Sequence, residues 1–134
     1  MSDNRELVER LRERLIATRD PRVVDEFFAP GFVSHNMPPG FPQGPAGVKR
    51  FLELFEPVGD LDVAIDETIS EGDRIAVATT TSGVHDVELF GIAPTGRRLE
   101  VAGIDLLRIE DGLIVEHRGL TDTVGLMRQL SGAA

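Results

Sequence analysis

A chain of 134 residues with 41% apolar side chains can fill one core, so a single domain over residues 1–134 is expected. A net charge of −9 leaves no basic face for nucleic-acid phosphates or for an anionic membrane surface. Cysteine is absent, which excludes disulfides, thiolate metal sites and cysteine nucleophiles; Trp and Tyr are absent too, so aromatic packing rests on seven Phe.

The first helix is predicted over Asp3 to Ile16, where Leu7, Val8, Leu11 and Leu15 recur at helical spacing. Asp3 and Glu6 have the spacing of a capping box. Asp20-Pro21 reads as an N-cap followed by proline at the first helical position, opening a short helix with Val23, Val24, Phe27 and Phe28 inward. Ala29-Pro30-Gly31 ends it, and Phe32 to Asn36 is a short extended piece. Residues 37–45 hold four prolines and two glycines, so they form a stiff loop directly after His35. A third helix runs from Pro45 to Phe55 with Val48, Phe51, Leu52 and Phe55 on one face. No N-terminal apolar run has signal-peptide form and no stretch is long enough to span a bilayer, so a cytoplasmic protein is expected.

From Leu61 the period changes to two. Leu61, Val63 and Ile65 alternate with polar residues, and Glu71-Gly72-Asp73 turns the chain into a Thr-rich strand over Ile75 to His85. After the loop Gly91 to Gly96, two long strands, Leu99 to Ile109 and Leu113 to Thr121, meet at Asp111-Gly112. Thr123 to Leu130 closes the chain as a short helix. Helices followed by strands mean an α+β fold: N-terminal helices packed on a strongly curved antiparallel or mixed sheet, enclosing a cone with an internal pocket. The convex face of such a sheet is a natural dimer surface.

Asp105 and Asp122 lie in otherwise apolar stretches of the last hairpin, where an unpartnered carboxylate is costly. A two-residue turn at Asp111-Gly112 sets Asp105 opposite Arg118; a three-residue loop sets it opposite His117. Both registers stay open, as does a bulge near Gly119 that would restore Asp122 to the face of Asp105 in the second, and Asp105 is either a structural pair or part of a site. Asp122 has two readings as well, a pocket carboxylate or the N-cap of the final helix.

The segments at residues 28–40 (FAPGFVSHNMPPG), 83–98 (GVHDVELFGIAPTGRR), 103–118 (GIDLLRIEDGLIVEHR) and 122–130 (DTVGLMRQL) carry a resemblance across nearly the whole chain. It resembles the SnoaL-like polyketide cyclases of the nuclear transport factor 2-like superfamily. The resemblance implies the cone fold, a homodimer or homotetramer packed through the sheet, and chemistry without a cofactor. It also implies that Asp122, which matches an aspartate just before the final helix, is the general acid/base of an intramolecular aldol closure. His35 and His85 match histidines common in the family. Arg118 stands where these proteins often carry Trp.

The residues fit that chemistry on a small carbonyl substrate. Burial raises a carboxyl group toward the operating pH, and Asp122 is flanked by Leu120, Val124 and Leu126. His35, with Asp105, completes the catalytic candidates; Arg118 and His85, with Phe51 and Phe55, are the substrate-binding ones. His35 and Arg118 are placed to polarise carbonyl oxygens. His85 also reads as a hydrogen-bonded core residue and His117 as a surface or interface residue. No close His spacing suggests a metal, and Ser34, Ser70 and Ser82 lie in no nucleophile elbow. Other chemistry in the same pocket, or a binding module without turnover, are the alternative readings.

Overall fold

A computed structural model describes the backbone of residues 2–132 and the side chains of residues 4–132. The elements in order are α1 (Ser2–Thr18), a 3-10 turn (Pro21–Val23), α2 (Val24–Phe27), β1 (Phe28–Ser34), α3 (Pro45–Phe55), β2 (Gly59–Glu71), β3 (Arg74–Val84), β4 (Arg98–Glu110), β5 (Leu113–Thr121) and α4 (Thr123–Ser131). The strands form one mixed sheet in the order β1-β5-β4-β3-β2, with β1 parallel to β5 and the other pairs antiparallel. The sheet is curved and not closed. No helix among the described residues is long and apolar enough to cross a membrane.

Local chemistry accounts for most boundaries. Asp20 accepts the Arg22 N–H in its side chain and Pro21 opens the 3-10 turn. Pro45 opens α3 in the same way, after Gly44 at φ 78°. The expected Asp3 cap rests on a side chain outside the described residues. The largest difference from expectation is at β1, which begins at Phe28 and runs through Pro30. It is an edge strand, and its register breaks between Phe28 and Val33, where a proline removes no ladder bond.

The helices cover one face of the sheet. Leu7 and Val8 of α1, with Val23 and Phe27, pack on Ile75, Val77, Leu107, Ile109 and Ile114. A second apolar cluster joins Leu126 and Leu130 of α4 to Val58, Leu89 and Leu99. Ile69, Ile104 and Leu120 lie exposed on the opposite, open face.

Candidate functional site

The last hairpin turns at Asp111 (φ 51°) and Gly112 (φ 76°), both left-handed, and Ile109 faces Ile114. The ladder then slips by one residue, so that Arg108 faces Glu116 and Asp105 faces Gly119. Asp105 therefore sits opposite neither Arg118 nor His117, because Val115 is an extra residue on the β5 side. The slip puts His117, Gly119 and Thr121 on the covered face with Asp105 and Leu107, and puts Arg118 and Leu120 on the open face.

On the covered face three side chains form one chain of contacts. Asp105 Oδ1 lies 2.7 Å from His117 Nε2, and His117 Nδ1 lies 3.0 Å from Ser34 Oγ. Ser34 is buried, His117 is half-buried at 24% side-chain exposure, and Asp105 is more open at 42%. Asn36 braces the pair from behind: its Oδ1 accepts the Gly119 N–H at 2.7 Å. Parallel pairing of Ser34 with His117 brings the end of β1 to this point, and the His35 N–H donates to the His117 carbonyl at 2.9 Å.

That pairing places His35 away from Asp105. Ser34 faces the covered side, so its neighbour His35 projects to the other. There His35 Nε2 lies 2.6 Å from Glu116 Oε2, beside Arg108, whose Nε donates to Glu116 Oε1 at 2.9 Å. The Arg108 bond, then the His35 contact, lower the Glu116 carboxyl from its ordinary value of 4.5 to about 2. Arg118 is also on the open face, 4.0 Å from Glu116, because the slip at Val115 turned it outward. Neither His35 nor Arg118 meets Asp105.

The remaining candidates disperse. Asp122 is exposed and N-caps α4, its Oδ1 accepting the Gly125 N–H at 3.0 Å. His85 is fully buried; its Nδ1 accepts the Thr95 N–H at 3.3 Å and lies 2.9 Å from Thr95 Oγ1, tying down the loop before β4. Phe51 and Phe55 form a tilted pair at 5.1 Å, with Phe55 packed into the second cluster and Phe51 exposed. A groove of about 340 Å³ lies between α1 and β2, lined by Glu9, Arg12, Glu13, Ala64 and Ile65, away from the Asp105–His117 pair. Sequence reasoning gave no site role to Ser34 or Asn36, and reached Gly119 only as the place of a possible bulge. The available signal was glycine inside a strand pattern, which marks a bulge or a close approach.

An open curved mixed sheet with helices packed on one face is the architecture of the nuclear transport factor 2-like cones. Within it, the SnoaL-like polyketide cyclase family model matches residues 6–130, and the chain belongs to that family. It is 30% identical over 135 residues to the aklanonic acid methyl ester cyclase DnrD of Streptomyces peucetius, covering 97% of this chain and 92% of that one. It is 28% identical over 110 residues to the nogalonic acid methyl ester cyclase of Streptomyces nogalater, covering 80% and 82%. The structure of TsrD from Streptomyces laurentii superposes with a TM-score of 0.80 at 33% identity, covering 94% of this chain and 96% of that one.

Proposed function

We propose that this protein is a cofactor-independent polyketide ester cyclase that closes a ring by intramolecular aldol chemistry, with Asp105 moving the proton. The observation that carries the assignment is the state of His117. Both of its ring nitrogens are engaged, one by Ser34 and one by Asp105, so the imidazole supports while the carboxylate is left to act. The substrate class rests on the relatives, whose names specify aklanonic and nogalonic acid methyl esters.

The reaction needs a proton taken from a carbon between carbonyls and a proton given to the oxygen that becomes the alcohol. One carboxylate serves both steps. Asp105 takes the α proton, the carbanion forms a carbon–carbon bond at the ketone carbon, and the alkoxide takes the proton back. The carbonyl π bond is the only bond lost besides the C–H, and no oxidant or water enters.

Asp122 supplies a second reading, favoured by its match to the aspartate before the final helix in this family. Turnover of an aromatic polyketide methyl ester by Asp105→Asn and Asp122→Asn separates the two. Under the Asp105 assignment, Asp105→Asn loses at least about 100-fold in kcat while Asp122→Asn keeps its rate; the reverse result moves the role to Asp122. Labelled-oxygen analysis of the product tests the reaction class, since a closure adds no oxygen atom.

The same proposal includes a homodimer or homotetramer through the open face, where Ile104 and Leu120 are 62% and 78% exposed as cross-strand partners. Sedimentation of Leu120→Glu should show a smaller species than the natural chain.

A further inference from the structure

The proton inventory around Ser34 points to a role for a residue that no substrate reaches. The Asn36 N–H donates to Ser34 Oγ at 3.3 Å, so one lone pair of the hydroxyl is occupied from outside. The hydroxyl then has its own proton to give, and His117 Nδ1 stands 3.0 Å away. At the far side of the ring, Asp105 Oδ1 lies 2.7 Å from His117 Nε2, so a hydroxyl proton given to Nδ1 leaves Nε2 as the ring nitrogen that carries a proton toward Asp105. The three groups form a line with one direction: Asn36 N–H to Ser34, Ser34 O–H to His117, His117 N–H to Asp105.

Ser34 is itself held in place. Its N–H donates to Gln43 Oε1 at 3.4 Å, and Gln43 Nε2 donates to the Ser34 carbonyl at 3.3 Å. Gln43 belongs to the proline-rich loop, so a stiff loop fixes the serine, the serine fixes the ring and the ring fixes the carboxylate. With Oδ1 of Asp105 held by His117 and no hydrogen bond to Oδ2 among the described residues, the second oxygen is left for a substrate.

We propose that Ser34 is a positioning residue that holds His117 in the Nε2–H tautomer and thereby aims the free oxygen of Asp105 at the substrate. This rests on the assignment of Asp105 above. The physical reason is that a neutral imidazole has one donor and one acceptor, and the partner on one nitrogen decides which nitrogen keeps the proton. A serine suits the place because its hydroxyl, already accepting the Asn36 N–H, keeps its own proton to donate to Nδ1.

Nitrogen-15 NMR of the histidine-labelled natural protein reads the tautomer directly. The Nε2–H form is expected for His117, assigned by its loss in His117→Gln; an Nδ1–H form overturns the proposal without any serine variant. Ser34→Ala should mix the two tautomers and lower kcat about tenfold or more with KM little changed. Ser34→Thr, which keeps the hydroxyl, should restore both signals. A Ser34→Ala protein with the natural tautomer and natural kcat refutes the role of Ser34. Full turnover in Asp105→Asn instead refutes the base assignment, while the tautomer signal still reports on Ser34.

Discussion

Gly119 sits directly across the ladder from Asp105, and a Cβ at that position would overlap both the Asp105 carboxylate and His117 Nε2. The hydrogen bond between Asp105 and His117 passes through space that any other residue would occupy. Gly119 is needed here for close approach and not for an unusual φ.

Gly119→Ala should therefore break the pair. It is expected to cost about 1–3 kcal/mol in urea unfolding, the usual cost of overpacking, and to lower kcat as far as Asp105→Asn does. A Gly119→Ala protein with natural kcat would mean that the pair is not part of the chemistry.

Asp122 separates capping from catalysis. Asp122→Ala should lose about 1 kcal/mol of stability, near 3 °C in Tm for a chain of this size as a rough scaling. Asp122→Asn should lose almost none, because asparagine caps as well as aspartate. Thermal unfolding of the two variants side by side checks the role. Equal losses would remove the cap with Gly125 as the explanation of Asp122's place in the fold.

Glu116 sets a pH dependence. Its folded-state carboxyl is lowered to about 2, below the ordinary 4.5, by Arg108 first and His35 second. A lowered carboxyl contributes stability that is fully present above the unfolded value and is lost as pH falls through the folded one. The urea midpoint of the natural protein should therefore fall between about pH 4.5 and pH 2. In Glu116→Gln that part of the slope should flatten. The same slope in both proteins would assign the acid sensitivity to other carboxylates.

His85 tests the distinction between core and site. It is fully buried and bonded to Thr95, with no hydrogen bond to the Asp105–His117–Ser34 line among the described residues. His85→Ala should cost about 2–3 kcal/mol through the lost volume and hydrogen bond. Turnover per folded molecule should stay the same below the unfolding transition. A large kcat loss in a fully folded variant would place His85 among the reacting groups after all.

The elements were legible because their causes are local. Asp20-Pro21 opens its helix, α3 starts at Pro45 and ends at Phe55 as its apolar face indicates, and Asp111-Gly112 makes the two-residue turn that its residue types favour. The α+β class follows from the change of period at β2. The candidate site was legible in part. Asp105 was visible as a carboxylate on an apolar strand, but its partner was not, since two registers offered Arg118 and His117 and neither allowed for the slip at Val115.

What the sequence by itself determined is therefore the set of elements, the family motifs and the few polar residues placed among apolar ones. Which of those residues meet was decided only by the tertiary structure. A strand alternates its faces with a period of two, so a single extra residue exchanges every side chain beyond it. The bulge at Val115 turned His117 toward Asp105 and Arg118 away from it. The parallel pairing of β1, between segments far apart in the chain, chose Ser34 over His35 as the partner of His117.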